Sequence, residues 1–363
     1  MSLPDLTTPL CRRLGIRYPV VLAGMAGGPT TPELAAAVSR AGGLGTLGLS
    51  GLSVEGARAA VARARVLTDA PLAVNVLVAP PEPPPPGGVD PGPVLAALRE
   101  ELGLPPDPPA PLAPADARDL IAAALEEGAG VVSVGLGDPA VVRDLAAAAG
   151  APLLAMAATV EDAVRAAESG ATAIVAQGAE AGGHRSNFTV PPDGVVPMIG
   201  TLALVPQVVD AVDVPVIATG GIMDGRGLAA ALALGAQAVQ MGTRFLVTAE
   251  SGVSEGYRQR IIRSRDTDAV VTRAVSGRPA RGLSNRLITA LEEAGPPGLG
   301  YPRQGAASAD LRAAAARADL PELMALWAGQ AGGLASDAPP AERLVEEIVQ
   351  QARGVLGGLA GGR

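Results

Sequence analysis

The chain has 363 residues, long enough for an α/β barrel with an appendage, and 48% are hydrophobic but only 2% aromatic, so Ala, Val and Leu must fill the core. Its net charge of −8 comes with no lysine and no basic cluster, which argues against nucleic acid and excludes Schiff-base and Walker-type lysine chemistry. A single cysteine, Cys11, excludes an intrachain disulfide and a cysteine zinc site, and points to a reducing, cytoplasmic setting.

From the N-terminus, short apolar runs alternate with Ala-rich helical stretches. Arg12 and Arg13 ahead of an apolar run faintly imitate a signal peptide, but Arg17 and Pro19 interrupt it, and 20–23 reads as a buried strand. No stretch is long and apolar enough to span a bilayer. A helix follows from Thr31 or Pro32 to near Gly42. Residues 44–49 form a second strand, Ser53 caps a helix to about Leu67, and 72–78 is a third strand. The proline-rich stretch 79–114 holds regular structure only at 93–102. Then come helix 115–127, strand 131–135, helix 139–149, strand 153–157, helix 160–169 and strand 173–176. After a polar, glycine-rich loop come helix 202–212, strand 214–219, helix 225–234 and strand 238–241.

Eight apolar runs without polar alternation require a parallel sheet covered on both faces. Right-handed crossovers of this length close into a barrel. The predicted fold is therefore an α/β (β/α)8 TIM barrel over 1–249, with an open doubly wound sheet as the alternative. The pattern then changes: helix 257–264, strand 269–275, helices 285–293, 308–318, 321–327 and 341–354, and a loop at 296–305. Residues 250–334 read as a mostly helical appendage over the barrel mouth, and 335–363 as a C-terminal helix packing back on the barrel.

Gly43-Leu-Gly45-Thr-Leu-Gly48 fits G-x-G-x-x-G, but the order is helix, glycines, strand. A dinucleotide site needs strand, glycines, helix, so this reads as a helix end and a tightly packed strand. Two later stretches have the required order. Thr219-Gly220-Gly221 ends the seventh strand and Gln240-Met-Gly242-Thr243 the eighth, where barrels bind phosphate between neighbouring loops. Thr243 adds a hydroxyl donor. The chain's one histidine, His184, lies in Gly182-Gly183-His184-Arg185 just beyond the sixth strand, on the same face. Histidine's unperturbed pKa suits proton transfer near neutrality, so His184 is the candidate catalytic residue. One histidine forms no zinc cluster, so metal catalysis is not expected. Glu180, in the same loop, reads as a solvated or capping carboxylate.

Ala-Gln-Gly-Ala-Glu-Ala-Gly-Gly-His-Arg at 176–185 resembles the signature loop of nitronate monooxygenases. So do 19–25 with Gly27-Gly28, Asn75 in Val-Asn-Val, the two phosphate stretches, Tyr301-Pro-Arg-Gln and Leu326-Trp-Ala-Gly-Gln. The resemblance implies non-covalent FMN. Ala23, Gly24, Met25, Asn75 and Gln177 would lie along its ring and ribityl chain. Gly182 and Gly183 would approach the flavin and its phosphate, and Gly220, Gly221, Gln240, Gly242 and Thr243 would bind the phosphate end. His184 would orient or charge-balance a nitronate, or take the α-proton of a nitroalkane. Ser186 and Asn187 stand where the family usually has glycine. The implied reaction is oxidation of alkyl nitronates or nitroalkanes by O2 to a carbonyl compound and nitrite. An NAD(P)H-dependent flavin reductase, acting on quinones or enoyl thioesters, is the alternative, and a non-catalytic flavoprotein scaffold a third reading. The expected partners are a small-molecule substrate and O2, with no nucleic acid or membrane. A homodimer is suggested by resemblance alone.

Overall fold

The computed structural model describes residues 5–106 and 115–360. The first half contains α1 (Pro9–Leu14), β1 (Val20–Leu22), α2 (Pro32–Arg40), β2 (Gly45–Gly48), α3 (Val54–Leu67), β3 (Leu72–Leu77), α4 (Gly92–Glu101), α5 (Ala117–Glu126), β4 (Val131–Gly135), α6 (Arg143–Ala148), β5 (Leu153–Ala157) and α7 (Val160–Glu168). Next come β6 (Ala173–Gln177), β7 (Gly183–His184), α8 (Thr201–Ala211), β8 (Val216–Thr219), α9 (Gly225–Ala233) and β9 (Ala238–Met241). The remainder is α10 (Thr243–Leu246), α11 (Glu255–Ile262), β10 (Ala269–Thr272), β11 (Ala280–Leu283), α12 (Arg286–Ala294), α13 (Arg303–Ala307), α14 (Ala309–Arg317) and α15 (Ala341–Ala360).

Eight parallel strands pair in the order β1-β9-β8-β6-β5-β4-β3-β2. A bridge between Val21 and Leu44 joins the two ends, with Leu22 N–H donating to Leu44 O at 2.9 Å. This is the expected TIM barrel, and each barrel strand falls on one of the eight apolar runs. The helices start where local chemistry allows. Thr31, Ser53 and Thr159 each accept a backbone N–H of the first turn, which satisfies a donor the helix itself leaves unpaired. The glycine-rich stretch at 43–48 is the turn out of α2 followed by β2, as expected for a packed strand rather than a nucleotide loop.

Scarce aromatics shape the interior. Ala73, Ala173 and Ala238 share one buried cluster with Val21, Leu44, Val131, Leu154, Val175 and Ile217. Small side chains leave that end of the barrel open. Helix α1 closes it with Leu10, Cys11 and Leu14, held by Thr8 Oγ1 donating to Gln237 O at 2.8 Å and Leu10 N–H to Gln237 Oε1 at 2.9 Å. The sequence pattern did not reveal α1, because one buried face of six residues is too short to show a period.

A second core joins α11, α12 and α14 to α4, the one helix expected in the proline-rich stretch. Arg99 of α4, almost fully buried, forms a fork with both carboxylate oxygens of Asp310 in α14 at 3.0 and 2.9 Å. Residues 107–114 of that stretch lie outside the described residues. Helix α15 packs on α9 and α2, with Ile348, Val349 and Ala352 buried and Gln351 Oε1 accepting Gly225 N–H at 2.8 Å. Among the described residues no helix is long and apolar enough to cross a membrane.

Four local expectations need correction. The helix at 139–149 is a 3-10 turn, Pro139–Val141, and then α6, because Val142 leaves helical geometry (φ −124°, ψ 7°). The strand at 269–275 ends at Thr272, whose hydroxyl accepts Ala274 N–H and turns the chain toward β11. The loop at 296–305 gives way to α13 from Arg303. Residues 321–327 are helical only over the 3-10 turn Pro321–Leu323; Met324 is extended, and Leu326 O accepts Leu283 N–H at 2.8 Å. The edge of β11 left free beyond its short pairing with β7 outcompetes the weak local helix signal. That sheet also includes β7: β11 pairs antiparallel with it, placing Ala280 opposite His184 and Arg281 opposite Gly183.

Candidate active site

A cavity of about 520 Å3 opens at the C-terminal ends of the barrel strands. All thirteen residues singled out from the sequence line it. Ala23, Gly24 and Met25 follow β1, Asn75 stands in β3, and Gln177 ends β6. Gly182, Gly183 and His184 form the next loop, Gly220 and Gly221 follow β8, and Gln240, Gly242 and Thr243 stand at the end of β9. The residues after Arg244 supply the far wall, including Tyr257, Arg312, Met324 and Trp327.

His184 is held by its own backbone. Its carbonyl accepts Gln177 Nε2 at 2.9 Å, while Gln177 Oε1 accepts Ser186 N–H at 2.9 Å. Gln177 thus clamps the loop on both sides of the histidine. Ser186 continues the brace, its Oγ accepting Leu136 N–H at 3.1 Å. The imidazole meets Trp327 at 5.6 Å between ring centroids and Tyr301 edge-on at 5.9 Å. Its Nε2 is buried and has no hydrogen-bond partner among the described residues. Burial, with the charges of Arg278 and Arg312 adding to it, pushes the imidazole pKa down to about 4, so the ring is neutral at physiological pH. A neutral ring can accept a proton.

The glycine positions leave backbone, not side chains, facing the cavity. Gly220 and Gly221 adopt φ of 116° and 70°, values that favour glycine. Beneath them Glu180 is a capping carboxylate, as expected: its two oxygens accept Thr201 N–H at 3.0 and 2.9 Å and Thr201 Oγ1 at 2.8 Å, at the start of α8. Thr243 Oγ1 accepts Gly329 N–H at 3.0 Å, tying the wall that carries Trp327 to the end of β9. Gly182 is a close contact: a Cβ there would stand 2.6 Å from Ala328 C and 2.7 Å from Gly329 N, both backbone. Gly182→Ala is therefore expected to cost roughly 1–3 kcal/mol by forcing this wall outward. A lower melting temperature with an altered Trp327 emission checks this. An unchanged melt would refute the close approach.

Sequence reasoning missed Arg312 altogether and gave Trp327 no role, although Trp327 stood in a stretch that resembles the family. Among the described residues no group of three or more His, Cys, Asp or Glu is placed to hold a metal.

The family model described as nitronate monooxygenase matches residues 8–351. A probable nitronate monooxygenase of Staphylococcus saprophyticus is 38% identical, over 97% of this chain and 99% of that protein. Among solved structures, a nitroalkane oxidase from Streptomyces ansochromogenes is 37% identical with a TM-score of 0.85, covering 95% of this chain and 98% of that one. FabK from Thermotoga maritima is 32% identical with a TM-score of 0.78, covering 98% of both chains.

Proposed function

The chain belongs to the nitronate monooxygenase family and is an oxidoreductase; from that premise we propose that it binds FMN at the barrel mouth and oxidises alkyl nitronates with O2 to a carbonyl compound and nitrite. The observation that carries this reading is one cavity with glycine backbone along one wall and a neutral, orphaned imidazole between two aromatic rings on another.

The residues fit a flavin. The volume lies within the ~300–1,000 Å3 of small-molecule sites. Gly220, Gly221, Gln240, Gly242 and Thr243 would hold the phosphate end, where unobstructed backbone N–H groups suit an anion. Ala23, Gly24, Met25, Asn75 and Gln177 would flank the ring and ribityl chain, and Gly182 and Gly183 would approach the flavin and its phosphate. When bound, the flavin supplies the electron acceptor for the substrate anion and passes reducing equivalents to O2. His184, which lines the cavity, would take the α-proton of a neutral nitroalkane on its neutral ring. Trp327 and Tyr301 would hold the imidazole plane and exclude water.

The likeness to FabK keeps one other reading in view, reduction of the flavin by NADH or NADPH. Both readings meet in one experiment: the visible spectrum of the purified protein, anaerobic, before and after each nucleotide and then a nitronate. A flavin band that persists with both nucleotides and bleaches with the nitronate is the expected result. Rapid bleaching by either nucleotide would replace the monooxygenase assignment with the reductase one.

A further inference from the structure

The negative charge of a nitronate calls for a cation in the cavity wall. Among the described residues that line the cavity, Arg312 is the one cation and Glu180 the one carboxylate. Glu180 is engaged with the start of α8. Arg312 has no carboxylate within ion-pair reach among the described residues. Its Nε donates to Ser308 Oγ at 3.1 Å and its Nη2 to Gly305 O at 2.8 Å, which fixes the fork. Nη1 has no acceptor among the described residues. Helix α14 turns Ala309, Arg312, Ala313 and Ala316 to the cavity, one face at i, i+3, i+4 and i+7 spacing. The guanidinium is thus flanked by methyl groups that offer it nothing. A partly desolvated cation in such a wall is unfavourable alone and favourable with an anion in front of it. The same charge contributes to holding the imidazole neutral.

We propose that Arg312 is a specificity residue that recognises the negatively charged NO2 group of the nitronate, and so selects the anion over the neutral nitroalkane. This rests on the nitronate reading above. The two anionic oxygens suit a guanidinium fork, and a lysine at the same place would supply only a point charge.

The test uses the purified holoenzyme. Nitrate, planar and monoanionic, is titrated at constant ionic strength while the emission of Trp327, the chain's one tryptophan, and the flavin spectrum are followed. Saturable binding is expected, weakened roughly 30- to 1,000-fold in Arg312→Gln and partly restored in Arg312→Lys. In turnover, Arg312→Gln should raise KM for the nitronate by a similar factor, with a smaller fall in kcat and a smaller loss on the neutral nitroalkane. Nitrate binding that is absent, or equal in the parent and Arg312→Gln, overturns the proposal, as does equal loss on both substrates. Normal nitronate turnover by Arg312→Gln sinks the Arg312 assignment and leaves the nitronate reading intact. Nitrate binding through Arg312 without any nitronate turnover overturns the nitronate reading and leaves the arginine as a site for another monoanion.

Discussion

Replacing His184 with asparagine is expected to lower kcat/KM for neutral nitroalkanes by about 10²–10⁴-fold, the usual contribution of a general base, while nitronate turnover falls far less. The nitronate has already lost its α-proton, so it needs the ring only for shape. Equal loss on both substrates would sink the base assignment. The pH dependence follows from the pKa of about 4. The free base is present throughout the neutral range, so the acid limb of kcat/KM for a nitroalkane should lie near pH 4 rather than near 6.5. Stability shifts in the same window. The unfolded chain binds the proton near pH 6.5 and the folded one only near 4, so the stability tied to the neutral ring is present above 6.5 and is lost as pH falls toward 4. Because His184 is the single histidine, one imidazole C2 proton resonance reads its titration directly. A midpoint at 6.5 would contradict the buried, arginine-flanked setting.

The second large effect concerns Arg185. It is fully buried, and burial pushes its pKa down to about 10, which leaves it charged at neutral pH. Its Nη1 donates to Gly178 O at 2.6 Å and its Nη2 to Gln177 O at 3.0 Å. Arg281 continues the row, with Nε on Ala179 O at 2.9 Å. Three consecutive carbonyls of the loop before His184 therefore point at two guanidinium groups. Arg185→Leu strips the guanidinium donor from Gln177 O at about 1–3 kcal/mol, while Gly178 O keeps Ala181 N–H at 3.2 Å, so a loss of roughly 1–3 kcal/mol is expected against a typical total of ~5–15. Arg185→Lys should recover little, since one ammonium does not reproduce the fork. Denaturant unfolding of both variants, with flavin absorbance per chain measured alongside, checks this. A loss below about 1 kcal/mol in Arg185→Leu would show that the loop keeps its shape without the arginine.

Much of the barrel was legible because its signals are local. A β-strand buried on both faces is a short apolar run whatever surrounds it, and each run carried its own helix cap or glycine stop. Counting eight runs places Gly182–His184, Gly220–Gly221 and Gly242–Thr243 on one face before any contact is known. The same locality explains the misses. Val142 breaks one helix by backbone geometry that alanine-rich composition does not reveal. The extended chain at Met324 is dictated by a sheet edge elsewhere in the sequence.

The order of strands, the loops that reach the barrel mouth and the presence of a single imidazole among them were determined by the sequence itself, through periodicity, capping and residue type. Only the tertiary structure decided what that imidazole meets. β11 pairs with β7, Trp327 and Tyr301 close on the ring, and α14 turns one arginine among alanines toward the cavity. These contacts join residues far apart in the chain, and none leaves a local periodic trace. The pKa of the histidine is decided there too, because burial and neighbouring guanidinium groups exist only once the chain has folded.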